Sequence, residues 1–149
     1  MPDSGQEIGV KPGLFYEELS VGQWARMERL VDDALIRQFT ALSGDDNPVH
    51  LDEAYARKTR FGGRIAQGML GATFISAVIG SRLPGHGTIY LNQTLKFLAP
   101  VRIGDIVTTE ATVTELRPER SRALLRTICR VGETVVIEGE ALVMVPRRG

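Results

Sequence analysis

Asp45 and His50 are the two side chains whose types and spacing are best suited to chemistry. They lie in the stretch SGDDNPVH, where Gly44 ends one predicted helix and the Asn47-Pro48 turn precedes the next. A carboxylate and an imidazole that face one cavity can hold a water molecule between them. One group then takes a proton while the other delivers one. Because a rigid turn would fix both groups, the pattern predicts an acid–base pair at Asp45 and His50.

The same stretch also has a purely structural interpretation. An Asp or Asn that follows a Gly often caps the next helix, and a single buried His can be satisfied without any ligand. Asp46 is expected to point away from Asp45 and to cap a helix or meet solvent. His86 lies in the Gly-rich turn PGHG and is expected to be a loop residue. One further His among scattered carboxylates lacks the spacing of a metal site, so no metal ion is expected.

The apolar run IAQGMLGATFISAVIG provides a second candidate element. Its 16 residues are fewer than the roughly 20 that a membrane span needs, so we expect a buried helix from about Gly68 to Gly80 and no membrane. The free N–H groups at its first residue, Gly68, could receive a developing oxyanion such as the enolate of a thioester. Close packing against a strand is the other explanation for that Gly. Ser76, about two turns further on, could orient a catalytic carboxylate or bond back to a helix carbonyl.

The remaining patterns predict the elements that position these residues. A short strand is expected from Gln23 to Arg29. A helix is expected to begin near Asp32 or Asp33 and to end at Gly44, because three apolar side chains share helical spacing: Leu35, Phe39 and Leu42. The stretch HLDEAYARKT predicts one further short helix. The helix that begins at Gly68 is apolar on every side and must therefore be enclosed.

The last third of the chain predicts the enclosing sheet. TIYLNQTLKF alternates like a strand, with one face formed by Ile89, Leu91, Leu95 and Phe97. DIVTTEATVTEL, RALLRTICRV and TVVIEGEALVMV are rich in β-branched residues, and the turn VGET joins the last two. Several antiparallel strands after one apolar helix predict a single α+β domain whose sheet curls around that helix. Such a sheet leaves an exposed edge, so a homodimer is expected.

Composition excludes several classes of protein. The 149 residues suit one domain, and 18 basic against 18 acidic side chains without a basic stripe speak against nucleic acid. The single Cys129 excludes an internal disulfide, suits a cytoplasmic location and is expected in the core. Residues 1–13 are polar and resemble no signal peptide. We expect them to form a flexible N-terminal arm before a domain at 14–149.

Three motifs in register resemble the MaoC-like family of (R)-specific enoyl-CoA hydratases: SGDDNPVHLDEAYA, FGGRIAQGMLGATFIS and LPGHGTIYLNQTLKFLAPVRIGD. The resemblance runs from Phe15 to the C-terminal GEALVMVP. It implies the hot-dog fold, a long helix wrapped by a curled antiparallel sheet, and a homodimer. It also implies that Asp45 and His50 are catalytic, that Ser76 hydrogen-bonds the catalytic Asp, and that the Gly68 N–H polarises the thioester carbonyl.

The implied reaction is reversible syn addition of water to trans-2-enoyl-CoA, giving (R)-3-hydroxyacyl-CoA with no cofactor besides the CoA thioester substrate. A 3-hydroxyacyl-ACP dehydratase would use the same chemistry on another carrier. A hot-dog acyl-CoA thioesterase usually carries a carboxylate on the long helix, and Met69 to Ile79 contains none. A non-catalytic subunit would be expected to lack the Asp or the His.

Two features of the sequence concern how the substrate would be bound. Many relatives carry His immediately before the helix Gly, where this chain has Gln67, which cannot titrate near neutral pH. Lys96, Arg102 and Arg117 could contact CoA phosphates or could simply be solvated.

Overall fold

A six-stranded antiparallel sheet and a 14-residue helix form the body of the protein. The computed structural model describes residues 5–8 and 12–149. The strands are β1 (Trp24–Leu30), β2 (Ile89–Gln93), β3 (Lys96–Phe97), β4 (Ile106–Arg117), β5 (Arg122–Val131) and β6 (Thr134–Met144). The helices are α1 (Asp33–Ser43), α2 (Pro48–Leu51), α3 (Glu53–Arg57) and α4 (Gly68–Ser81), with short 3-10 turns at Tyr16–Glu18 and Pro118–Arg120. The strand order is β1-β4-β5-β6-β2, and β3 also pairs with β6.

Helix α4 packs on the sheet and forms the centre of the hydrophobic core. Its buried side chains are Leu70, Phe74, Ile75, Val78 and Ile79. They contact β4, β1 and β5, whose inward positions are also apolar. Burying each such side chain contributes about 1.5–3 kcal/mol. The predicted α+β domain, with an antiparallel sheet curled around an apolar helix, is therefore confirmed. None of the helices in the described ranges is both long enough and apolar enough to cross a membrane.

Within one chain, the sheet does not enclose α4 on every side. Met69, Thr73, Ser76 and Gly80 are exposed. Because these positions recur at intervals of three and four residues, they form one stripe along α4. We call it the open stripe. The sheet covers the opposite side of the helix only.

Helix α1 begins and ends where the sequence predicts, but the segment after it differs. Asp32 caps α1 by accepting the Leu35 N–H at 2.9 Å, and Gly44 ends it at φ 83°, a left-handed conformation that favours glycine. The single helix predicted for HLDEAYARKT is instead two helices, α2 and α3. Asp52 separates them in an extended conformation, and its side chain accepts the Tyr55 N–H at 3.1 Å. Such local capping competes with the helical backbone.

The alternating segment TIYLNQTLKF is not one continuous strand. It divides into β2 and β3, both paired with β6, and the β2 pairing shifts register between Tyr90 and Asn92. The side chain of Gln93 donates to the Thr94 carbonyl and to Thr127 Oγ1, both at 2.9 Å, at the point where β2 ends. Of the predicted apolar face, Ile89, Leu91 and Phe97 are exposed in one chain, whereas Leu95 is partly buried against the core.

The N-terminal prediction falls partly outside the described residues. Within the predicted arm, Ile8 is buried and its N–H donates to the Trp24 carbonyl at 2.7 Å. Residues 1–4 and 9–11 lie outside the description, and the boundary between 13 and 14 stays a prediction.

Cys129 and His86 lie where the sequence predicts. The Cys129 thiol is fully buried against Thr109 and the Gly71 carbonyl, and burial raises its pKa. A thiol that resists ionisation is a poor nucleophile, so Cys129 is a core residue. His86 is exposed in the turn before β2.

Candidate active site

Asp45 and His50 face each other at the C-terminal end of α1. Asp45 Oδ2 lies 3.9 Å from His50 Nε2. This separation exceeds the length of a direct hydrogen bond, so the two atoms can share a water molecule or a substrate atom. The imidazole is 9 % exposed, whereas the carboxylate is 42 % exposed. The structure therefore brings together the two side chains that the sequence singles out, one enclosed and one open to incoming molecules.

The orientation of the His50 ring follows from its partner. Nδ1 lies 2.8 Å from the Ile65 carbonyl oxygen. A carbonyl can only accept a hydrogen bond, so Nδ1 carries the proton and donates it. In the neutral ring Nε2 is then an unprotonated acceptor aimed at Asp45. Nε2 is therefore the ring nitrogen that can exchange a proton with a molecule held between the two side chains.

In the turn between Asp45 and His50, one side chain caps the next helix and another faces the imidazole. Asn47 caps α2, because its Oδ1 accepts the Val49 N–H at 3.2 Å, and Pro48 occupies the first helical position, where its missing N–H costs nothing. Asp45 Oδ1 accepts the Asn47 N–H at 3.3 Å, while Oδ2 faces the imidazole. Asp46 is exposed. Asn47 thus supplies the cap, and one oxygen of Asp45 remains available.

Arg64 holds the backbone of this site, and no pattern in the sequence pointed to it. Its Nε donates to the His50 carbonyl at 2.7 Å, and its Nη2 donates to Asp33 Oδ1 at 2.6 Å. Hydrogen bonds from Arg64 and then Arg37 hold the pKa of Asp33 below its ordinary value. Arg64 therefore ties α2 to the start of α1. Its partners lie 14 and 31 residues away in the sequence, which is beyond the reach of any local signal.

Gly68 begins α4 beside an aromatic ring. An added Cβ would lie 2.9 Å from Phe97 Cδ1, closer than side-chain carbons approach without a shift. The first N–H groups of α4 have no partner within the helix and lie at its positive end. Gly68 permits close packing against Phe97 and leaves donors at a helix N-terminus. Its part in binding an oxyanion stays a prediction.

A cavity of about 280 Å³ lies at this helix N-terminus. Its walls are almost entirely apolar and include Gly68, Gly71, Phe74, Phe97 and Ile137, with Gln67 and Arg60 as polar members. Asp45 and His50 are not among its lining residues in one chain. Ile65 does line it, and the Ile65 carbonyl anchors His50. The cavity and the acid–base pair therefore meet at the segment 65–68.

The other candidates are less closely tied to the site. Ser76 lies on the open stripe and makes no hydrogen bond to Asp45 in the described part of the chain, so its role stays a prediction. Arg117 pairs with Glu115, whereas the Nη2 of Arg102 donates to the Phe61 carbonyl at 2.7 Å beside the cavity. Lys96 is exposed. Across residues 5–8 and 12–149, no three His, Cys, Asp or Glu side chains group to hold a metal ion.

The curled sheet around α4 defines a hot-dog fold, and the Asp45–His50 pair lies beside the segment that begins α4. Residues 20–136 match the family described as MaoC like domain, and the chain belongs to that family. It is 55% identical over 135 residues to an (R)-specific enoyl-CoA hydratase of Rhodospirillum rubrum, covering 91% of this chain and 94% of the relative. It is 50% identical to a 3-hydroxybutyryl-CoA dehydratase of Methylorubrum extorquens, covering 91% and 86%.

A solved structure agrees with this assignment of the fold. The unliganded R-hydratase PhaJ1 of Pseudomonas aeruginosa superposes with a TM-score of 0.86 at 44% identity, covering 91% of this chain and 88% of that one. The hot-dog fold that the sequence resemblance implied is therefore confirmed.

Proposed function

We propose that the protein is an (R)-specific enoyl-CoA hydratase, which adds water to trans-2-enoyl-CoA to give (R)-3-hydroxyacyl-CoA and catalyses the reverse dehydration. The observation that carries this proposal is the 3.9 Å gap between Asp45 Oδ2 and His50 Nε2, with the ring fixed by the Ile65 carbonyl. The names of the relatives in Rhodospirillum rubrum and Methylorubrum extorquens support the same chemistry in its two directions.

In the proposed mechanism, Asp45 and His50 act on the same water molecule. Asp45 and His50 hold the water. One of them takes a proton from the water as the water oxygen attacks C3, and the other delivers a proton to C2. Because both groups lie on one side of the substrate, addition is syn. The enolate oxygen that develops on the thioester is stabilised by the N–H of Gly68 at the positive end of α4. Asp45 and His50 act as a coupled pair, so acid and base are not divided between them.

The function is tested with crotonyl-CoA. We expect the absorbance of the conjugated enoyl thioester to fall without release of free thiol, and chiral analysis to identify (R)-3-hydroxybutyryl-CoA. Free CoA would instead indicate a thioesterase, although α4 carries no carboxylate to aim water at the carbonyl carbon. Turnover of the acyl-carrier-protein thioester alone would assign the protein as a 3-hydroxyacyl-ACP dehydratase.

We also propose that the protein is a homodimer joined through β2 and the open stripe. Strand β2 is a sheet edge, and Ile89 and Leu91 on it are 51% and 39% exposed. Met69 on the open stripe is 53% exposed. An unpaired edge and a set of exposed apolar side chains favour association with a second copy. In this dimer Ser76 faces the partner, and its proposed bond to a catalytic carboxylate would join two chains.

Replacing Ile89 by Lys is expected to convert the dimer into a monomer, because the ammonium group would be buried without a partner at the interface. Light scattering coupled to gel filtration measures the change. Val21 is 62% exposed in a turn away from β2, so Val21→Lys is the matched control and should remain dimeric. A wild-type protein that elutes as a monomer at micromolar concentration would contradict the interface.

Three further proposals concern partners and location. We propose that the reaction uses no cofactor beyond the CoA thioester, which is consistent with water and two side chains supplying every proton. A cytoplasmic location is supported by the single cysteine, and the balanced charge speaks against nucleic acid as a partner.

A further inference from the structure

We propose that Gln67 is a positioning residue of the active site, which fixes Asp45 relative to His50 and Gly68 through the two donors of its amide. The inference rests on the proposed function. It assigns a role to Gln67, a buried polar side chain that the proposed mechanism does not use.

The side chain of Gln67 is enclosed and faces α1. The residue is 2% exposed, and its Nε2 donates to the Ile36 carbonyl and to Thr40 Oγ1, both at 3.1 Å. The orientation of the amide is determined by chemistry. The Ile36 carbonyl can only accept, so the nitrogen must face it. Gln67 Oε1 is buried and has no hydrogen-bond partner among the described residues.

The donor half of the amide therefore makes the contacts. Thr40 extends the contact toward the site, because its carbonyl accepts the Gly44 N–H at 2.8 Å and Gly44 directly precedes Asp45. Two hydrogen bonds, linked through the covalent structure of Thr40, thus connect Gln67 to the backbone that carries the catalytic carboxylate.

The segment that holds Gln67 also contacts the other two parts of the site. The Ile65 carbonyl fixes the His50 ring, and Gly68 begins α4. Four consecutive residues, 65–68, therefore set the relative positions of the carboxylate, the imidazole and the helix N-terminus. The amide donors hold the middle of α1 against this segment, whereas Arg64 holds only its first residue, Asp33. A reacting group displaced by about 1 Å can lose about 100-fold in rate.

The first test compares variants that keep the shape of Gln67 and remove its donors. We expect Gln67→Met to lower kcat for crotonyl-CoA by about 10- to 100-fold and to change KM by less than about threefold, because the apolar cavity remains. Gln38 is exposed on the same helix that Gln67 contacts. Gln38→Met is therefore the matched control and should keep wild-type kcat.

Gln67→Glu should make kcat depend on pH in a way that a purely structural role of Gln67 would not produce. The carboxylate form has no donor, whereas the protonated acid can donate one hydrogen bond. The ratio of the variant's kcat to the wild-type kcat should therefore rise as pH falls. A ratio that is flat across the pH range would count against the donors as the working groups.

A double-mutant cycle tests the path through Thr40. Thr40→Val removes the hydroxyl acceptor and keeps the shape. Both changes break the same hydrogen bond between Gln67 and Thr40. The double variant with Gln67→Met should therefore be no slower than Gln67→Met alone, within about twofold. Effects that simply multiply would contradict a shared path.

Hydrogen exchange separates this inference from the proposed function. The Gly44 amide should exchange at least about tenfold faster in Gln67→Met, while amides of β5 keep their wild-type rates. A wild-type protein inert towards crotonyl-CoA, with faster exchange in the variant, would support the positioning and overturn the hydratase. An active wild type, with unchanged kcat and unchanged exchange in the variant, would overturn the role of Gln67.

Discussion

Replacing His50 by Asn is expected to lower kcat for crotonyl-CoA hydration by about 10²- to 10⁴-fold, the range that removal of a general acid or base typically costs. The substitution is designed around the two ring nitrogens. The amide nitrogen of Asn can take the place of Nδ1 and donate to the Ile65 carbonyl, which now accepts at 2.8 Å. Nothing in Asn replaces Nε2, the atom that faces Asp45. The variant therefore keeps the anchor and loses the proton carrier, and steady-state kinetics measure the loss.

The chain contains its own control for this experiment. His86 is the second of two histidines and lies exposed in the turn before β2. His86→Asn should keep wild-type kcat, and both variants should keep the wild-type oligomeric state and melting temperature. If His50→Asn retained kcat within about threefold of the wild type, the imidazole would not carry a proton in the rate-limiting step.

The parts of the fold and site that could be predicted depend on local signals. Gly44 ends α1 because a left-handed residue is needed there, and Pro48 begins α2 because its fixed φ suits the first helical position. Because Gly44 ends one helix and Pro48 begins the next, Asp45 and His50 lie on separate segments. The apolar run of α4 likewise predicts its own burial. Each signal lies within a few residues of the feature that it predicts.

The parts that could not be predicted depend on contacts between distant segments. Arg64 and Gln67 each reach a partner 31 residues away, and the Ile65 carbonyl that sets the His50 tautomer has no side-chain signature. The division of TIYLNQTLKF into two strands follows from pairing with β6, which alternation of side chains does not specify. The open stripe on α4 could not be predicted from the sequence for a related reason. Its composition predicts burial but does not identify which surface, of this chain or of another, provides it.

Replacing Asp45 by Asn is expected to reduce kcat by about 10²- to 10⁴-fold as well, because the amide keeps the shape of the carboxylate but cannot exchange protons with water in its place. The local structure should survive. Asn Oδ1 can still accept the N–H of Asn47, which now lies 3.3 Å from Asp45 Oδ1. Asp46→Asn is the matched control, since this neighbour is exposed. It should keep wild-type turnover. Equal losses in the two variants would mean that net charge, and not the position of Asp45, governs the rate.

Combining Asp45→Asn with His50→Asn distinguishes a shared water from two independent groups. If both side chains act on one water molecule across the 3.9 Å gap, the first substitution already disables the step and the second adds little. Residues that act as a unit are strongly non-additive in this way. The double variant should therefore be within about tenfold of the slower single variant. If the two losses multiplied in full, Asp45 and His50 would act at separate points of the reaction, and the single-water mechanism would have to be abandoned even though both residues are essential.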